Sequence, residues 1–534
     1  EDSVVEIPNL GKVRGSITCT TWTNRTIHQF LDIKYAKSPI NDLRFKPPIG
    51  VGKWDDTIDV SKPGNKCSDL SMTSDGFSED CLSLAVYSNN LEKFNPVMFY
   101  IHGGGFFSGG IYRHPPNYLL EKDILLVVPQ YRLGPLGFLS LNTSEVPGNV
   151  AALDVILALK WVQDNIKYFG GDPTKVTVFG ESAGAVLAAT LMYSPLVLES
   201  YFDKIILQSG GSSSPWGWDI LPYENGLQIA QFSKCANEDI DKIVQCLQNL
   251  DVKLLWKAFF GHTKMVLSKP EGIHYAGGNR LTFGGYSGFL PDDVYSKLRS
   301  TGPTRKYKMM AGFTKHEGTY FLKHIFDSMK DKIKGIKNTQ TMVSVLGLVL
   351  GNQFIVTLED SNEVIDAYAK AYAKMFTKEA MNTSDYRLVL DEIIDLSGDI
   401  SVKIPVLRDF LINQQNNPEN SYFYSYEYEG ENSYFNLRTK PELYPFKGGV
   451  SHGDDLLYLF PYLYKNPLNS LDSQVSKNII DMWTNFAITG NPGISLPPST
   501  KSNYIEIKDQ IRNVNKDIFN LLTTATDEKR SGCQ

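Results

Sequence analysis

Residues 178–185 read Val-Phe-Gly-Glu-Ser-Ala-Gly-Ala, an apolar run that stops at a serine bracketed by glycines. A serine hydroxyl attacks a carbonyl only when a base removes its proton and nearby donors stabilise the oxyanion that forms. Gly180 and Gly184 suit a turn too tight for larger side chains. A small-residue helix starting after Ser182 would point its free N–H groups at a developing negative charge. An ordinary glycine-rich strand-to-helix turn fits these eight residues equally well, so other residues must decide. The stretch Ile101-His102-Gly103-Gly104-Gly105-Phe106 offers consecutive bare backbone N–H groups, as an oxyanion hole requires. A flexible loop is the bland alternative. A phosphate cradle is disfavoured because no lysine follows at P-loop spacing.

A serine nucleophile on such a turn is followed along the chain by an acid and then by a histidine. His262, His274, His316, His324 and His452 come after Ser182. His452 lies in the glycine-flanked stretch GVSHGDD, just past an apolar strand, where a catalytic loop belongs. Glu317, in GFTKHEG, lies between the serine and His452 and also follows a strand. Asp454 and Asp455 compete for the acid role, although they come after the histidine.

The elements that must position these groups are legible from periodicity. Val97–Ile101, Ile124–Val128, Lys175–Phe179, Lys204–Leu207, Tyr307–Ala311 and 421–428 read as buried strands, with β-like runs at Val4–Ile7 and Lys12–Ile17. Val150–Tyr168 has helical spacing, and Ala183–Met192 opens a second helix. Strands alternating with helices predict an α/β fold with a mostly parallel sheet covered on both faces. No linker rich in Pro, Gly or Ser divides the chain, so residues 1–534 are read as one domain. Stretches at about 212–305 and 320–415 are read as largely helical insertions capping one end of the sheet.

The chain is 42% hydrophobic and 21% charged, with a net charge of −6 that is not gathered into blocks, which disfavours a nucleic-acid partner. No apolar segment reaches the roughly 20 residues of a membrane span. The chain begins at Glu1 without an initiator methionine or signal peptide, as a trimmed secreted product would. Six cysteines include two local pairs, Cys67 with Cys81 and Cys235 with Cys246, which suit an oxidising compartment. Neither pair has zinc-site spacing, so no metal and no cofactor is expected. Sequons at Asn24, Asn142 and Asn382 permit glycosylation. The readings of Cys19 and Cys533 stay open between inert thiols, a mutual pair and an intermolecular bond.

Phe169–Gly184 (FGGDPTKVTVFGESAG) resembles the serine-site signature of the type-B carboxylesterase and cholinesterase family. EDCL (79–82) resembles that family's second signature. IHGGGF, YRLGPLGFLS (131–140), GFTKHEG and GVSHGDDLLYLF fall in the family's order over nearly the whole chain. The resemblance implies an α/β-hydrolase fold and a triad of Ser182, Glu317 and His452, with oxyanion donors at Gly104, Gly105 and Ala183. It further implies disulfides Cys67–Cys81 and Cys235–Cys246 and a salt bridge between Arg44 and Glu79. The expected reaction is hydrolysis of small carboxylic esters through an acyl-enzyme, with organophosphates and carbamates as inhibitors. A slow sequestering esterase and a non-enzymatic adhesion protein are the alternatives.

Departures from the family pattern narrow this further. The loop closed by Cys67 and Cys81 has no aromatic residue except Phe77, whereas cholinesterases carry a choline-binding tryptophan there. Glu181 precedes the serine where juvenile-hormone esterases usually carry Gln. Phe106, Trp216 and Phe313 are candidate pocket walls, with core packing as the alternative. The expectation is a secreted esterase for apolar xenobiotic, pheromone or lipid-like esters, with its oligomeric state open.

Overall fold

The run Asn-Pro-Val-Met-Phe-Tyr-Ile at 95–101 has no polar alternation, which suits a strand covered on both faces. In the computed structural model, which describes residues 3–69, 76–267, 277–323, 327, 390–461 and 467–522, that run is a central strand. The strands used below are β1 (Ser3–Ile7), β2 (Gly11–Cys19), β3 (Thr26–Lys34), β4 (Ser83–Ser88), β5 (Asn95–Ile101) and β6 (Leu125–Pro129). They continue with β7 (Gly171–Glu181), β8 (Lys204–Gln208), β9 (Lys308–Thr314), β10 (Ser421–Tyr426), β11 (Tyr504–Ile507) and β12 (Ile511–Val514). With the short strand Ile58–Asp59 beside β2 they form one sheet, ordered β1-β2-β3-β4-β6-β5-β7-β8-β9-β10-β11-β12. The seven strands from β6 to β11 run parallel, and the flanking pairs are antiparallel. This is the α/β-hydrolase fold.

Period-two geometry sends alternate side chains to opposite faces of the sheet. Val97, Phe99, Ile101, Val178, Ile205 and Leu207 join one core, with helices α1 (Val150–Asn165), α2 (Ala183–Leu191) and α3 (Ile404–Asn416). Met98, Tyr100, Phe179 and Ile206 join a second core under α4 (Ser470–Thr489), where Trp483 is fully buried. The predicted strands are present, with β7 running on to the residue before Ser182. Strands β3, β4, β11 and β12 were not predicted. The first two carry Gln29, Asp32, Ser83 and Ser88 among their apolar residues, which blurs a strand signal.

Helices Pro222–Phe232, Ile240–Asn249 and Val252–Leu267 fill the first predicted insertion. The described part of the second is helical from Leu390 to Asn416. Cys67–Cys81 and Cys235–Cys246 are both bonded. Arg44 grips Glu79 through two hydrogen bonds of 2.7 and 2.6 Å and also donates to the Leu247 and Leu250 carbonyls. It thereby ties the loop before the first disulfide to the helix carrying the second.

A more deeply buried ion pair braces the loop after β6. Arg132 donates to Asp154 of α1 at 2.9 and 2.7 Å, with side chains 3% and 0% exposed. Burial pushes the Asp154 carboxyl up, against the pull of Arg132. Removing one partner strands the other charge in the core. Asp154→Ala is therefore expected to cost about 3–5 kcal/mol in denaturant unfolding. A loss under about 1 kcal/mol would mean that the site relaxes to solvate Arg132.

Candidate active site

The turn from β7 into α2 is as tight as the sequence implied. Ser182 sits at φ 56° and ψ −125°, a conformation that L-residues rarely adopt. A Cβ on Gly180 would lie 2.6 Å from the Gly184 backbone, and one on Gly184 would lie 2.0 Å from the Ile101 carbonyl oxygen. Neither position has room for a side chain, because β5, the glycine loop and the first turn of α2 close on one another. The strained serine is left at the sheet's carboxyl edge. In open α/β sheets, ligand crevices form at that edge.

The glycine loop folds back over the elbow. A Cβ on Gly103 would stand 2.7 Å from both the carbonyl and carboxylate oxygens of Glu181. Gly104 and Gly105 take φ values of 113° and 61°, open to glycine at low cost. The Tyr131 hydroxyl donates to the His102 carbonyl at 2.6 Å, and the Gly134 N–H donates to the Phe106 carbonyl at 2.7 Å, fixing the loop from both ends. Among the described residues, none of the Gly104, Gly105 and Ala183 N–H groups donates a hydrogen bond. They are suited to receive an anion.

His452 is buried, and its Nδ1–H donates to Glu317 Oε2 at 2.5 Å. The other carboxylate oxygen, Glu317 Oε1, accepts from the Ser209 hydroxyl at 2.5 Å and the Thr314 N–H at 2.8 Å. Glu317 thus points one oxygen at the imidazole and anchors the other. The two competing acids are engaged elsewhere. Asp454 accepts from the Ser451 and Tyr434 N–H groups, and Asp455 accepts from Gln208 at 2.9 Å and Tyr424 at 3.1 Å. Both hold the turn that carries His452.

The Nε2 atom of His452 is buried without a hydrogen-bond partner and lies 3.1 Å from Glu181 Oε1. That is ion-pair distance, but the geometry is out of line for a hydrogen bond. Nor does a hydrogen bond join Nε2 to the Ser182 hydroxyl; such contacts often tighten only when substrate is bound. Burial by itself would push the imidazole down. The Glu317 and Glu181 carboxylates and the Glu317 hydrogen bond carry it up, to about 9. Burial also pushes the Glu181 carboxyl up to about 8, with His452 pulling it back. Glu317 itself stays low despite its burial, because His452, Ser209 and Thr314 all favour its charged form.

Aromatic residues pack against and beside the imidazole. Tyr320 stacks on the His452 ring at 5.2 Å and Phe321 meets it edge-on at 5.2 Å. Trp216 is 6.2 Å from both Phe321 and Phe106, and its indole N–H donates to the Ser401 carbonyl at 2.8 Å. Ser401 lies in a π-helical turn at Asp399–Lys403, just before α3. Phe106 is fully buried against Phe138 and Trp216. Phe313 packs in the sheet against Phe423 and beneath the Lys403 ammonium, with core neighbours.

Sequence reasoning missed Ser209, Tyr320, Phe321 and the contact of Glu181 with His452. Ser209 follows a strand and precedes two glycines, which was the available signal. The other three depend on packing across distant segments. Among the remaining histidines, His102 stacks on Tyr131 at 4.4 Å and burial pushes it down to about 4. His316 accepts from the Val450 N–H. His274 and His324 lie outside the described residues, as do Asn382 and Cys533. Asn24 and Asn142 occupy exposed turns, and Cys19 is an exposed free thiol.

A cavity among Pro39, Arg44, Cys67 and Leu136 lies behind the first disulfide and touches none of Ser182, Glu317 or His452. Among the described residues, no group of three His, Cys, Asp or Glu could hold a metal, and no helix is long and apolar enough to cross a membrane.

Comparison with known proteins accords with this geometry. The chain is 30% identical to glutactin of Drosophila melanogaster over 522 residues, covering 94% of this chain and 49% of that protein. It therefore spans about half of glutactin's length. Juvenile hormone esterase of Tribolium castaneum is 30% identical over 503 residues, covering 90% of this chain and 83% of that one. Cholinesterase of Mus musculus is 28% identical over 528 residues, covering 92% and 80%. The model of the Carboxylesterase family matches residues 1–525, and with it the elbow, the glycine loop and the buried Glu317–His452 pair: the chain belongs to the carboxylesterase family.

Proposed function

We propose that this chain hydrolyses carboxylic esters through an acyl-enzyme on Ser182. The observation that carries the reading is the 2.5 Å bond from His452 Nδ1 to a Glu317 carboxylate anchored on its far side. It aims the free Nε2 of a buried imidazole at the neighbourhood of the elbow. His452 takes the serine proton as Ser182 attacks the carbonyl. The Gly104, Gly105 and Ala183 N–H groups hold the oxyanion, each contributing about 3 kcal/mol of transition-state stabilisation. His452 then protonates the leaving alcohol, and water repeats the sequence on the acyl group. Glu317 fixes the tautomer and balances the imidazolium.

The partly exposed Trp216 and Phe321 favour an apolar acyl half, and organophosphates and carbamates would act as inhibitors. Choline esters are disfavoured because Phe77, the aromatic residue of the first disulfide loop, already carries the Lys66 ammonium at 5.3 Å. Two bonded disulfides and exposed sequons at Asn24 and Asn142 support secretion and glycosylation.

The test is to treat the protein with a fluorophosphonate, map the adduct by peptide mass spectrometry, and assay 4-nitrophenyl esters of increasing acyl length. A single adduct on Ser182 with sustained turnover is expected. Rapid labelling with only a stoichiometric burst would replace hydrolysis by sequestration. No adduct and no turnover would refute both and leave adhesion.

A further inference from the structure

On the imidazole side, a chain of ring contacts leads from His452 to an exposed cation. Tyr320 stacks on His452, Tyr434 lies 6.4 Å from Tyr320, and the exposed Arg438 guanidinium sits 4.9 Å over the Tyr434 ring. A second pair of cations lies beyond the glycine loop. Arg113 and Lys66 flank Tyr112 at 5.5 and 4.5 Å from its centroid, all three half-exposed. The Tyr320 hydroxyl and the His114 ring lie within electrostatic reach of both Arg438 and Arg113. Lys66 and Arg438 each sit over aromatic rings, Lys66 over Phe77 and Tyr112 and Arg438 over Tyr434. Their charges are steadied by aromatic faces, which leave the N–H groups able to bind an anion.

The direction of the reaction says which half of the substrate meets this rim. His452 must hand its proton to the leaving oxygen, so the alcohol half lies on the imidazole's side. The acyl half would then lie toward Trp216. We propose that Arg438, assisted by Arg113 and Lys66, forms an anion-recognition rim for the alcohol half, so that the site prefers esters whose alcohol carries a carboxylate or similar anionic group.

This inference rests on the esterase reading for the orientation of the substrate, and its test separates the two. The probes are 4-acetoxybenzoate and its neutral methyl ester, with 4-hydroxybenzoate and methyl 4-hydroxybenzoate as unreactive binding probes followed by calorimetry. In Arg438→Gln, the ratio of kcat/KM for the anionic over the neutral ester is expected to fall about fivefold. Arg438→Glu should lower it further. Raising the salt concentration should shrink the wild-type ratio more than that of Arg438→Gln. The calorimetric preference for 4-hydroxybenzoate should fall in parallel. A wild-type protein that binds both probes equally, or a preference unchanged in Arg438→Gln and Lys66→Gln, overturns the rim. Charge-dependent binding without turnover of either ester keeps the rim and rejects the esterase reading.

Discussion

Ser182→Ala is expected to lower kcat/KM for a 4-nitrophenyl ester by about 10⁴-fold or more, without loss of fold. The reaction loses its nucleophile, while the oxyanion donors and the pocket keep only a small residual rate. The elbow gives this prediction a second readout. At φ 56° the serine pays a steric penalty that the surrounding turn imposes, of order 1–3 kcal/mol. Alanine carries the same Cβ and the same penalty, so its melting temperature should match wild type. Ser182→Gly removes the clash but adds freedom to the unfolded chain, which offsets up to about 1 kcal/mol. It should therefore be as inactive as alanine yet melt about 1–2 °C higher in matched thermal scans. Near-wild-type turnover in either variant would remove Ser182 from the mechanism. Equal melting of all three would show that the turn is not strained.

The tightness of that turn is legible in the sequence, in the glycines two residues either side of the serine, whereas the strain at Ser182 itself is not. Gly180 and Gly184 close against each other and against Ile101. The parallel core was equally legible, since strands such as 97–101 and 124–128 are apolar on both faces and cannot be edge strands. What escaped was either polar or remote. Strands β3 and β4 carry polar residues that hide their pleat. Tyr320 and Phe321 reach His452 only after a loop and a helix turn have been placed. Phe313 is a candidate pocket wall in the sequence, with core packing as the alternative. Strand alternation turns its ring toward Phe423 instead.

Glu181 shows why residue type alone is a weak guide. As a sequence position it served only to separate this chain from esterases with Gln before the nucleophile. In the fold it is a second carboxylate on the imidazole, opposite Glu317 and 3.1 Å from Nε2. In the proposed mechanism a carboxylate there would stabilise the imidazolium formed as Ser182 attacks, and it would also make the resting base harder to deprotonate. Those two effects oppose each other in rate at neutral pH. They can be separated only by following pH.

Glu317→Gln carries that separation furthest. Losing the anchored carboxylate removes both the charge behind the imidazolium and the acceptor that fixes Nδ1–H, so kcat should fall by about 10⁴-fold. The pH profile supplies the sign. His452 acts as a base only when neutral, and the two carboxylates raise it from its ordinary 6.5 to about 9. In wild type, kcat/KM should therefore climb with pH through a limb well above 6.5 and be low at pH 6. Removing either anion weakens the hold on the proton, so the limb should move to lower pH in Glu317→Gln and in Glu181→Gln. The rate plateau separates the two roles. Glu181→Gln keeps the Nδ1 acceptor and should retain most of its high-pH activity, whereas Glu317→Gln loses it at every pH. A wild-type limb at or below 6.5 would mean that neither carboxylate acts on the resting imidazole. An unshifted limb in Glu181→Gln, with wild type still high, would assign the whole effect to Glu317.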